Sequence, residues 1–157
     1  MQTHHFVLFA DQHQFYLQDE FAAGNVSARW TDDAAREMLA VTVGAIAVRT
    51  FSNMFVPVAV QILERAPMQI DYENWDQINE CSIEFPSGKI VIAGATDHIP
   101  TANCILVEPG TYRARIFYSN EIPAGDMTSK DHYQIDLWPA SHQEKQVLKQ
   151  KPLQDQA

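Results

Sequence analysis

The chain has 157 residues, the length of one ordinary domain, and sets 11 Lys and Arg against 20 Asp and Glu for a formal charge of −9. That excess of carboxylate argues against a nucleic-acid binder, because phosphate recognition needs a clustered basic surface. With 46% hydrophobic and 10% aromatic residues it is not a disordered chain either, and it can bury one core without staples.

In chain order, His4 to Ala10 reads as a first strand and His13 to Gln18 as a second, joined at Asp11-Gln12 by a tight hairpin or a bulged connection. Phe21 to Arg29 reads as loop, turning at Gly24-Asn25. One helix follows, over residues 31–43. Thr31 is its N-cap, Asp32 and Asp33 suit the dipole in its first turn, and Ala34, Ala35, Met38, Leu39 and Val41 recur at helical spacing before Gly44 stops it. Ala45 to Thr50 and Phe55 to Leu63 are β-rich, with Pro57 marking an edge or a bulge in the second. Gln77 to Phe85 alternates with Cys81, Ile83 and Phe85 on its apolar face, and Pro86-Ser87-Gly88 turns it into Lys89–Gly94 as a hairpin. Asn103–Glu108 and Thr111–Ser119 form another pair, around a type II turn at Pro109-Gly110. Asn120 to Lys130 is a polar loop and His132 to Trp138 the last strand.

The fold class is therefore mostly β, an antiparallel β-sandwich of about nine strands with one α-helix, a single domain over 1–139 and a polar C-terminal tail, mobile or surface-draped, over 140–157. The two cysteines, Cys81 and Cys104, lie in apolar runs without metal-site spacing and read as two buried thiols. No basic start leads into a signal-like apolar stretch and no run is long enough to span a bilayer, so the expected location is cytoplasmic.

Catalytic chemistry finds no anchor. His4, His5, Asp11, His13 and Glu20 gather in the first hairpin, but neighbours on a strand point to opposite faces, and His98, His132 and His142 follow no metal-binding pattern. No nucleophile elbow is present, Cys81 beside Glu80 lacks a visible histidine, and isolated glycines cannot cradle a phosphate. No metal or cofactor is expected.

Acidity is more informative. All but two of the acidic residues precede Pro139, and one run is dense: Asp71, Tyr72, Glu73, Trp75 and Asp76 place three carboxylates beside two aromatics in a predicted loop. Aromatics supply rigid contact area and carboxylates steer a basic partner, the mixture of a binding epitope. The plainer alternative is a solvated loop with Trp75 tucked into the core. Asp32 and Asp33 read as capping residues, and Trp30 and Trp138 as core.

Trp30-Thr31-Asp32-Asp33-Ala34 followed by Gly44-Ala45-Ile46-Ala47-Val48, with the Pro109-Gly110-Thr111-Tyr112 turn and the early strand His13-Gln14-Phe15-Tyr16, resembles the competence protein J family. These small bacterial proteins are described as inhibitors of a DNA-entry nuclease. The resemblance implies a non-enzymatic nuclease inhibitor or immunity-type protein, with a basic nuclease or toxin as partner. Independently of it, an acidic protein can occupy a basic cleft by matching phosphate-like charge. The rival readings are a small-molecule or carbohydrate-binding sandwich, which predicts a concave apolar pocket, and a metal-dependent enzyme on the N-terminal hairpin.

Overall fold

A computed structural model describes residues 1–97, 102–120 and 131–152. His98, nearly all of the expected polar loop at 120–130, and residues 153–157 fall outside these. The elements are β1 (Gln2–Phe9), β2 (Gln14–Asp19), α1 (Asp32–Glu37), β3 (Leu39–Thr42), β4 (Ala45–Arg49), β5 (Phe55–Ile62), β6 (Gln77–Phe85), β7 (Lys89–Gly94), β8 (Asn103–Leu106), β9 (Gly110–Ser119), β10 (His132–Pro139) and β11 (Gln146–Lys149), with 3-10 turns at Asp11–His13 and Val26–Arg29.

Two sheets pack face to face. The first is six-stranded in the order β1-β5-β10-β9-β6-β11; the second is five-stranded, β3-β4-β2-β7-β8. All pairs are antiparallel except β5 with β10. Alternation along each strand sends Leu8, Val58, Val60, Ile83, Ile116 and Ile135 from the first sheet against Phe15, Leu17, Ile46, Val48, Ile90 and Ile92 from the second, in one continuous core. Phe15 meets Tyr133 edge-on across the gap at 5.6 Å.

The expected sandwich is present, with different wiring. Three connections read as hairpins are arches between the sheets. β1 belongs to the first sheet and β2 to the second; the 3-10 turn between them reverses the chain through positive φ at Gln12 and His13. β6 and β7 part in the same way, as do β8 and β9. Gly110, at φ 154°, is closer to extended than to the type II angle the hairpin would need. Asp19, at the end of β2, ties the β6–β7 crossing to the loop that follows β2. Its carboxylate accepts the Ser87 N–H (3.0 Å) and hydroxyl (2.7 Å) and the N–H groups of Phe21 (3.0 Å) and Ala22 (2.9 Å).

The helix is shorter than its periodicity suggested. Thr31 does cap it, its Oγ1 accepting the Ala34 N–H at 3.0 Å, but Met38 turns left-handed at φ 66° and the chain continues as β3. Sheet β6–β9 takes up the helix end: the buried Tyr118 hydroxyl donates to the Met38 carbonyl (2.8 Å) and Asn79 Nδ2 to the Glu37 carbonyl (2.7 Å). Gly44 serves the β3–β4 hairpin instead, where φ +65° and a Cβ position only 2.6 Å from the Ala22 carbonyl oxygen exclude side chains. Pro57 marks no edge, since β5 lies between β1 and β10. It sits one residue before the β10 register begins at Val58. The segment read as a tail beyond 139 supplies β11, paired with β6.

Candidate functional site

The acidic loop precedes β6 and is tied down at three points. Asp71, fully exposed, closes an Asx-type turn by accepting the N–H groups of Glu73 (3.2 Å) and Asn74 (3.3 Å) and the Asn74 side-chain amide (2.6 Å). The Asn74 side-chain bond is the largest influence on its carboxyl, which lies below the ordinary aspartate value and so stays ionised. Trp75 is half-buried on the outer face of the first sheet, its ring 5.3 Å from Phe117 and 5.2 Å from His132. The Asp76 N–H donates to the Tyr118 carbonyl and its carboxylate accepts the Asn120 N–H, both at 2.8 Å. From β11, Lys149 donates to the Tyr72 carbonyl.

These bonds divide the five residues by task. Asp71 and Asp76 shape the loop. Trp75 anchors it against the sheet rather than entering the core. Glu73 and Tyr72 project: Tyr72 is 46% exposed, and the Glu73 carboxylate has no hydrogen bond or ion pair among the described residues. The result is a pre-shaped acidic projection, with little ordering entropy left to lose on contact.

A buried charged layer beside this loop is absent from the sequence reading. On the outer face of the first sheet, Glu80 accepts from Arg113 Nε (3.0 Å) and Arg115 Nε (2.7 Å), all three nearly inaccessible. The C-terminal segment covers them. Arg113 also donates to the carbonyls of Gln143 (3.0 Å) and Glu144 (2.9 Å), and the Gln143 N–H to Ser82 Oγ (2.9 Å). Arg115 lies over the buried Trp138 ring at 4.9 Å. The alternation of Glu80-x-Ser82-x-Glu84 and Arg113-x-Arg115 carries the signal, but only pairing β6 with β9 sets Glu80 opposite Arg115 and Ser82 opposite Arg113.

Other candidates disperse. His4 stacks on Phe6 while His5 faces the other side of β1, Glu20 pairs with Lys89 at 2.9 Å, and no three metal-ligating side chains converge among the described residues. Cys81 is buried, which pushes its thiol up to about 12, whereas Cys104 is exposed on β8 rather than buried as expected. Trp138 is buried as expected, but Trp30 is only half-buried, outside the second sheet, its Nε1 donating to Gln14 (3.1 Å). Asp33 pairs with Arg36 on α1. A shallow groove of about 340 Å³ crosses β1, β5 and β10 between His5, Val7, Pro57 and His132. A second hollow, about 470 Å³, opens at the sandwich end between Glu64, Leu106, Glu108 and Tyr112. No described helix is long and apolar enough to cross a membrane.

Compared with solved structures, this arrangement of strands matches ComJ from Bacillus subtilis, described as the inhibitor of the DNA-degrading activity of NucA, with a TM-score of 0.68 at 16% identity over 89% of this chain and 96% of that one. The fold is ComJ-like. A second protein with the ComJ-like fold, described as the product of crocagin biosynthetic gene J, matches with a TM-score of 0.62 at 21% identity over 89% of this chain and 98% of its own. No family model and no curated protein sequence matches the chain. The likeness covers nearly the full length of both ComJ-like proteins and 89% of this chain.

Proposed function

We propose that the chain is a stoichiometric inhibitor of a nuclease, binding without turnover and blocking a basic DNA-binding cleft with the acidic loop at Asp71, Tyr72, Glu73, Trp75 and Asp76. The observation that carries this reading is the near full-length ComJ-like fold, one member of which is described as a nuclease inhibitor. The loop supplies the physics. Ionised carboxylates on a shaped projection attract a basic cleft over long range, raising the association rate in a salt-dependent way, while Tyr72 offers contact area once docked. The cytoplasm is the compartment in which such a partner would be met.

The test is a titration of nuclease activity with the purified chain, using a DNA-degrading enzyme retained on it from the host at low salt. Activity falls linearly to an end point at equivalence and returns with added salt. The combined variant Asp71→Asn, Glu73→Lys, Asp76→Asn keeps the turn residues polar and replaces three negative charges with one positive charge; it slows association about tenfold or more at low salt. Retention of no nuclease, or catalytic rather than stoichiometric loss of activity, would overturn the reading.

A further inference from the structure

The open edges of the two sheets differ sharply. An edge strand presents unpaired N–H and C=O groups as a template for another strand, and proteins blunt such edges with short strands, charges, prolines or bulges. Among the described residues β3, β8 and β11 end the sheets with four residues each, and β11 is broken by a register shift between Val147 and Lys149 and carries that lysine. β1 has none of these devices. It runs eight residues, is paired with β5 along its whole length on one side, and on the other ends the sheet among the described residues. Gln2-Thr3-His4-His5-Phe6-Val7-Leu8-Phe9 contains no Lys, Arg, Asp, Glu, Pro or Gly, although the chain as a whole is rich in carboxylates. Beside that edge the outer face is apolar and open: Val7 is 68% exposed and Phe55 58%, with Phe55 against Phe9 at 5.0 Å.

We infer that β1 pairs antiparallel with β1 of a second copy, joining two six-stranded sheets across a two-fold axis. Charge selects this occupant. Each copy carries −9, so two copies repel wherever carboxylates meet, and β1 is a long edge where none do. A basic partner strand would find no counter-charge on it, whereas a second copy finds an identical neutral ladder. Alternation suits the join as well: a two-fold at Phe6 sets His5 against Val7 and Thr3 against Phe9 across it, covering the exposed Val7 on the outer face. The acidic loop is clamped by Lys149 of β11, at the opposite edge of the sheet, so the join leaves it open. The pairing stands independently of the inhibitor reading.

Sedimentation equilibrium of the full chain over a wide concentration range tests the pairing, together with amide exchange of β1. A reversible dimer of the 17.8 kDa chain is expected, with the amides of Gln2–Phe9 gaining protection as concentration rises. His5→Glu places a charge at the join and weakens association about tenfold or more, as does Val7→Lys, while Leu106→Glu on the short β8 edge leaves it unchanged. Near-ultraviolet circular dichroism confirms that each variant is folded. A chain that stays monomeric at the highest concentration overturns the inference. So does a dimer that both β1 variants leave at full strength.

Discussion

The outer face of the six-stranded sheet is two surfaces of opposite character. Toward β6 and β11 it carries charge, Glu80 between Arg113 and Arg115, and that charge is buried beneath the C-terminal segment. Toward β1 and β5 it carries Val7 and Phe55, and these are open to water. Burial follows what the chain itself supplies as cover. Residues 142–149 bring backbone carbonyls and β11 to the charged half, so its polar groups can leave water with partners. The apolar half receives nothing comparable among the described residues, and an uncovered apolar edge is a surface for contact with another molecule.

Four substitutions break or sharpen that contrast. The largest effect belongs to Glu80→Ala, which strands two guanidinium groups in a dry layer and costs about 3–5 kcal/mol in urea unfolding. The same change at Glu20, whose pair with Lys89 is solvent-accessible, costs under about 1 kcal/mol. Asp136, on β10 between the two halves, gives a smaller effect with a distinctive pH signature. Burial raises its carboxyl above the ordinary value, against the opposing influence of the Gln134 amide and Arg115. An acid raised in the folded state binds its proton more tightly there than in the unfolded chain. The folded state therefore gains from Asp136 as pH falls from neutral through the raised pKa, and that gain is complete below the ordinary value of 3.8. Asp136→Asn removes the gain and flattens the acid side of the stability profile, with little loss at neutral pH. The smallest effect is Val7→Thr on the open half. At concentrations dilute enough for monomers it shifts stability by no more than about 0.5 kcal/mol, because the side chain is already in water.

The same contrast explains what could be read from the chain. β6 falls on the segment where alternation placed it, and β9 and β10 lie within a residue or two of theirs, because period-two patterning reports directly on a strand with one face in the core. Partner choice was not legible. The turn at Pro86-Ser87-Gly88 is as short as a hairpin loop, yet the chain crosses it from one sheet to the other, and apolar alternation is the same for either course. At Met38-Leu39 helical and strand spacing coincide, and the end of α1 is decided by Tyr118 and Asn79, distant in sequence. The acidic loop was visible as composition, but its shape comes from Asn74, Asn120 and Lys149, residues that carried no signal of their own. The charged layer needed the β6–β9 register before its glutamate and arginines could be seen as partners.

The most direct measurement is the association rate of the chain with the nuclease proposed as its partner, as a function of salt, for the natural sequence and for the Asp71→Asn, Glu73→Lys, Asp76→Asn variant. The account predicts a rate that falls steeply with salt for the natural chain, and one that is about tenfold slower at low salt and nearly flat for the variant. Equal rates and equal salt dependence in the two proteins would contradict it and move the binding face away from this loop.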